Sequence, residues 1–187
     1  MPHVTLEAHL PGITGLLEYR QDTGRPIRDL TQILLRGAST LSEADRELIA
    51  TVVSHGNQCK FCTAAHAATV DMLLGESETS EKVKKDISTA PISEKMKALL
   101  TIAKHTGQNG KLVTTQNIEN AKSAGATDIE IHDTVLIAAL FSLYNRYVDG
   151  MATLMPEDNS YFTMLADRLV NHGYSRLPNG YDHLKKQ

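Results

Sequence analysis

The sequence predicts an all-α fold, a single-domain helical bundle, and three observations carry that prediction. Apolar residues recur at three- and four-residue spacing along most of the chain, the pattern of helices that each bury one face. No run alternates β-branched and polar residues as a half-buried strand would. Ser and Thr stand before the apolar runs and Gly after them, as at helix starts and stops.

The elements follow in order. Pro11-Gly12 opens a short apolar turn reaching Leu17. Pro26 is placed just inside the next helix start, followed by Ile27, Leu30, Ile33, Leu34 and Leu35, with Gly37 as the stop. Ser42 caps a third helix with Asp45 at the capping-box distance; Leu48, Ile49, Val52 and Val53 form its stripe, and Gly56-Asn57 ends it. Cys59 to Leu74 is the fourth helix, stopped by Gly75. Glu76 to Lys85 is polar and charged, so it is expected to be exposed.

Ser93 opens a helix through Met96, Leu99, Leu100 and Ala103 to Gly107, and Thr114-Thr115 starts one that stops at Gly125. Thr127 with Glu130 repeats the capping box ahead of the longest apolar helix, which holds Val135, Ile137, Ala138, Phe141, Leu143 and Val148. It is apolar on more faces than one core requires, so a homo-oligomer is expected. A last helix spans Asp158 to Val170. The tail from about 173 to 187, with Gly173, Pro178 and Gly180, is expected to be loosely packed or docked on a partner subunit.

A chain of 187 residues suits one domain over 1–187. Its 41% hydrophobic and 22% charged content is that of a globular protein. Nineteen basic against 22 acidic residues give a net charge of -3, and no basic, aromatic face stands out, which argues against a nucleic-acid partner. The N-terminus lacks a basic stretch followed by an apolar one. The longest apolar segment, Val135 to Phe141, is far short of the roughly 20 residues of a membrane span. A cytoplasmic protein without a membrane partner is therefore expected.

The two cysteines, Cys59 and Cys62, form a C-x-x-C pair. Closing so short a loop constrains the unfolded chain little, so the pair is redox-active or metal-binding rather than a structural staple. At about 100° per helical residue, Cys59, Cys62 and His66 fall within about 60° of one another. Glu47 lies on the preceding helix. If the chain doubles back at Gly56-Asn57, the midpoint of 47 and 66 falls there too, and Glu47 sits level with His66 across the hairpin. An unpaired carboxylate beside an apolar stripe is costly, and His66 would pair it.

Such a group suits thiol chemistry. The reactive species is the thiolate, and a free cysteine has a pKa of about 8.5. A helix N-terminus, His66 and Glu47 are available to help it form. One thiol attacks a peroxide and becomes a sulfenic acid; the other condenses with it to a disulfide, which an external reductant resets. Position at the helix start favours Cys59 as the attacker, and spacing to His66 favours Cys62. Two other readings remain: a zinc-binding structural module using His55, Cys59, Cys62 and His66, and a low-turnover thiol redox sensor.

At Glu47, Cys59, Cys62 and His66 the sequence resembles the alkylhydroperoxidase D-like (AhpD-like), peroxidase-related branch of the carboxymuconolactone decarboxylase superfamily. The match is a glutamate, C-x-x-C twelve residues later, and a histidine four residues beyond. The resemblance implies an AhpD-like helical fold and an antioxidant thiol peroxidase. Cys62 would be peroxidatic, Cys59 resolving, and Glu47 and His66 the proton relay. It also implies a hydroperoxide substrate, an external dithiol or protein reductant, no cofactor or metal, and assembly as a trimer or hexamer. The chain departs from the pattern at Phe61, where those enzymes have a histidine; His55 at the hairpin tip is the candidate substitute.

Overall fold

Side-chain caps set four of the helix starts in the computed structural model, which describes residues 1–178, 180 and 181. Ser42 with Asp45, Thr114 with Asn117, and Thr127 with Glu130 form reciprocal capping boxes, and Ser93 accepts from the Met96 amide. These satisfy amides that a helix N-terminus leaves without partners. Among the described residues there are nine α-helices and no strand: α1 (Ile13–Tyr19), α2 (Gln21–Arg36), α3 (Glu43–Gly56), α4 (Lys60–Leu74), α5 (Glu78–Lys85), α6 (Glu94–Gln108), α7 (Thr115–Ser123), α8 (Asp128–Gly150) and α9 (Ser160–His172). The fold is all-α, as predicted. Among the described residues no helix is long and apolar enough to cross a membrane.

The central helix is α3. From Ala44 to Ser54 only Asp45 escapes full burial, because α2, α4, α5, α6 and α8 all pack against it. Leu35, Ile49, Val53, Leu99, Leu100, Ile137 and Phe141 belong to the main core. A smaller cluster lies where α1, α4, α8 and α9 meet, and both cysteines sit in it with Leu16, Phe61, Val148 and Phe162. Arg46 joins α3 to the end of α2: its Nη1 donates to the carbonyls of Leu34 (3.1 Å) and Gly37 (2.9 Å). That clamp fixes where Arg36 can reach.

Two expectations are corrected. Helix α2 begins at Gln21, so Pro26 lies inside it rather than at its start. The ring removes one amide donor, but Pro26 and the residue whose carbonyl loses that donor, Asp22, are both exposed. The polar stretch after Gly75 is not wholly exposed: it forms α5 and buries Thr79, Ser80 and Val83, with Ser80 Oγ donating to Asp71 Oδ1 at 2.5 Å. Of the tail, Tyr174 packs against the core and Tyr181 is buried. Residues 179 and 182–187 of that expected tail lie outside the described residues. Helix α8 keeps Ile129 and Leu143 exposed, so its apolar excess is only partly covered within this chain.

The cap of α8 doubles as a pH-sensitive contact. Glu130 is buried and accepts from Lys95 Nζ (2.8 Å), Thr40 Oγ1 (2.8 Å) and the Thr127 amide (2.8 Å). Desolvation pushes its carboxyl up, but these hydrogen bonds and the Lys95 charge bring it down to about 2. Its stabilising contribution is therefore full above its ordinary value of 4.5 and is lost as pH falls towards about 2, amounting to at most about 3 kcal/mol. Glu130→Gln is expected to lower stability at pH 7 by about 1–3 kcal/mol and to narrow that deficit below about pH 4, as read from denaturant melts across pH.

Candidate active site

The turn between α3 and α4 is built on Gln58, whose φ of 61° is left-handed, a conformation that costs a side-chain-bearing residue about 1–2 kcal/mol. Tertiary contacts hold it. The Cys59 amide donates to the Ser54 carbonyl (3.0 Å), Asn57 Nδ2 donates to Asn145 Oδ1 (2.9 Å), and Asn145 Nδ2 donates to Ser54 Oγ (3.0 Å). Asn145, on α8, thus pins the hairpin tip. Cys59 is the N-cap of α4 with an extended backbone, so the helical-face arithmetic holds for Cys62 and His66 but not for Cys59. Cys59 lies with Cys62 in the same small apolar cluster. Both cysteines are free thiols and both are buried.

Behind them lies the carboxylate. Glu47 is fully buried on α3, and its Oε2 is 2.7 Å from His66 Nδ1, as the hairpin register predicts. Its Oε1 accepts from Arg36 Nη2 (2.6 Å) and from the Tyr174 hydroxyl (2.6 Å). Burial would push this carboxyl up; the hydrogen bond from His66, the Arg36 charge and the Tyr174 hydroxyl outweigh it and hold Glu47 below the usual carboxylate range. An ionised carboxylate only accepts, so His66 Nδ1 carries the proton and a neutral ring leaves Nε2 as an acceptor. Burial and the Glu47 charge raise the Tyr174 phenol well above its ordinary value, so it stays a neutral donor. Phe141 meets the His66 ring edge-on at 4.4 Å, and Tyr174 stacks parallel to it at 6.3 Å. The imidazole is fixed in tautomer and in plane.

Cys62 and His66 line one small cavity of about 60 Å³, together with Arg28, Phe141, Tyr144 and Arg168. Cys59 does not line it. The neighbouring Cys59 thiol, then burial, raise the Cys62 thiol, and Asn145 pulls the other way. Cys62 therefore keeps its proton at rest and needs a base at the moment of reaction. Iodoacetamide labelling of Cys62, followed by peptide mass spectrometry, is expected to keep accelerating above pH ~8.5, the ordinary thiol value. A labelling rate already flat above neutral pH would contradict this environment.

Of the four residues singled out by the sequence, Glu47, His66 and Cys62 meet through direct contact or a shared cavity, and Cys59 joins through Cys62. His55 does not join them. It is exposed and borders a separate groove with Lys84 and Lys104, so it is no substitute for the missing histidine. Among the described residues no group of three or more His, Cys, Asp or Glu side chains is placed to hold a metal ion. The set His55, Cys59, Cys62 and His66 does not assemble, because His66 is committed to Glu47 and His55 faces outward. Phe61 packs against Tyr161 (6.2 Å) and Phe162 (5.6 Å) and serves the smaller core.

Sequence reasoning missed three participants. Arg36 gives no signal at the end of α2, and Tyr174 sits in a stretch without periodicity. Asn145, next to the exposed Arg146 in the apolar helix α8, is buried. Its signal was available: an asparagine inside an apolar helix needs buried partners.

Residues 21–85, which run from α2 through α5 and include all four candidate residues, match the carboxymuconolactone decarboxylase family. No curated protein sequence matches the chain. Two solved structures share its fold. An uncharacterized peroxidase-related protein from Silicibacter sp. TM1040 is 25% identical with a TM-score of 0.73, over 79% of this chain and 77% of that one. An alkylhydroperoxidase AhpD core, an uncharacterized peroxidase-related protein from Ralstonia eutropha JMP134, is 24% identical with a TM-score of 0.74, over 83% and 80%. Residues 21–85 are thus similar to the carboxymuconolactone decarboxylase family, and the chain shares the helical fold of the AhpD core structure.

Proposed function

We propose that this protein is a thiol-dependent peroxidase that reduces hydroperoxides through the Cys59–Cys62 pair. The observation that carries the reading is the shared cavity of Cys62 and His66, with the His66 ring held by Glu47 at 2.7 Å. His66 Nε2 takes the Cys62 proton as the thiolate attacks the terminal peroxide oxygen. The O–O bond breaks, the proton passes to the leaving alkoxide, and Cys62 sulfenic acid and an alcohol result. The Cys59 thiol then displaces hydroxide from that sulfur, forming the disulfide and releasing water. An external dithiol, small or protein-borne, takes over the disulfide and returns both thiols. No step calls on a metal or cofactor.

We read the chain as a cytoplasmic homo-oligomer that associates through α8, a reading supported by the exposed Ile129 and Leu143 on that helix. The family resemblance adds a trimer or hexamer. Names of the two similar structures support the peroxidase reading, since both are described as peroxidase-related.

The test is catalytic turnover of tert-butyl hydroperoxide with dihydrolipoamide as reductant. Many turnovers per chain, with both thiols lost per peroxide consumed in its absence, are expected. One oxidation without turnover would make the chain a redox sensor, and thiols inert to peroxide would remove the reading altogether.

A further inference from the structure

Two cationic side chains at the Cys62 cavity each keep a buried N–H that has no acceptor among the described residues. Arg28 is 3% exposed; its Nη2 pairs with Glu18 Oε1 (2.8 Å) and lies 3.5 Å from the Tyr181 hydroxyl. Its Nη1 is buried without a hydrogen-bond partner among the described residues, and so is Arg168 Nε. Arg168 Nη2 donates to the Ser175 carbonyl (3.2 Å). Both guanidinium groups approach the Tyr181 ring, at 5.8 Å and 4.8 Å from its centroid. Glu18 does not balance them, because it also accepts from Arg176 at 3.0–3.1 Å. The Glu47 carboxylate is already committed to Arg36, Tyr174 and His66.

A buried donor on a cation with no acceptor costs more than a neutral one. An anion is the partner that repays it best, and a carboxylate matches guanidinium geometry. The cavity also leads outward: Thr14, Leu165, Arg168 and Tyr181 line both it and a groove of about 610 Å³. Met72, Met164 and Leu177 make part of that groove's wall apolar. Arg168 therefore stands where the small inner space joins the larger outer one.

We propose that this cavity recognises a carboxylate, and that the preferred substrate is an organic hydroperoxide with a carboxylate a few bonds from the peroxide. Arg28 Nη1 and Arg168 Nε hold the carboxylate, the peroxide faces Cys62, and any hydrocarbon remainder extends into the outer groove. The substrate half of this inference rests on the peroxidase reading; the carboxylate site does not.

The experiment separates the two. Reduced protein is titrated calorimetrically with 3-hydroxy-3-methylbutanoate, the alcohol product of such a hydroperoxide, and with its methyl ester. In parallel, kcat/KM is measured for 3-hydroperoxy-3-methylbutanoate and its methyl ester. The acid is expected to bind and the ester not, and the hydroperoxy acid to be reduced at least about tenfold more efficiently than its ester. In Arg168→Met both preferences should shrink towards unity. Arg28→Met breaks the Glu18 pair and risks the fold, so the acid-to-ester ratio in the unmodified protein is the primary readout. Binding of the hydroxy acid without reduction of any hydroperoxide would keep the carboxylate site and overturn the peroxidase reading. Equal handling of acid and ester, with no binding of the hydroxy acid, would overturn the inference and leave the cavity a water pocket.

Discussion

Glu47→Gln is expected to lower stability by about 3 kcal/mol and peroxide turnover about 100-fold. The stability loss follows from Arg36, whose guanidinium is buried and bonded to Glu47 at 2.6 Å. Removing the carboxylate charge leaves that cation with Glu43 at 3.4 Å as its remaining ion partner. For a chain of this size the melting temperature should fall by about 10 °C. The kinetic loss has another origin: a glutamine amide can present a donor to His66 Nδ1, which reverses the tautomer and takes Nε2 out of its role as base.

The sign of the pH dependence separates these effects from simple damage. Glu47 is held below the carboxylate range in the folded state, so its contribution is full above its ordinary value and fades as pH falls through the folded one. The gap between Glu47→Gln and the unmodified protein should therefore be widest near neutral pH and narrow below pH ~4.5. A gap that stayed constant down to acid pH would mean that the carboxylate charge is not what stabilises the site. Thermal melts across pH, with turnover measured well below the transition, check both halves.

Cys62→Ser carries the largest expected kinetic effect, a loss of turnover of about a thousandfold or more, with stability changed little. A hydroxyl at that position still hydrogen-bonds but does not attack peroxide. Cys59→Ser should behave differently: one equivalent of peroxide is consumed and the cycle then stops, because no second thiol closes the disulfide. Stopped-flow consumption of peroxide by each pre-reduced variant distinguishes the two roles. Comparable single-turnover rates in both variants would leave the assignment without support.

The legible parts of this site are those that regular helices impose. Glu47 and His66 could be set level because each lies on a helix of fixed rise, and the fold-back point is marked by Gly56-Asn57. The capping box at Ser42 fixes the start of α3, which carries Glu47. Pro26 misled because proline is commoner in a first turn than in a helix interior, and here the interior is tolerated on an exposed face. Gln58 gave no warning of its left-handed φ; surrounding hydrogen bonds, not its own preference, set that turn. Arg36 and Tyr174 were beyond reach for a different reason. They meet Glu47 across 11 and 127 residues, and no periodic pattern links Tyr174 to α3. At Cys62 the neighbouring Cys59 and then burial push the thiol up, against the expected help of His66 and Glu47 in ionising it.

Everything in the proposed chemistry converges on which sulfur meets peroxide. The direct measurement is dimedone trapping of the sulfenic acid after one equivalent of peroxide, in Cys59→Ser and in Cys62→Ser, with the adduct located by mass spectrometry. A label on Cys62 in the first variant and none on Cys59 in the second is the predicted result. A label on Cys59 in Cys62→Ser, with Cys62 unmodified in Cys59→Ser, would contradict it and move the attack away from the His66 cavity.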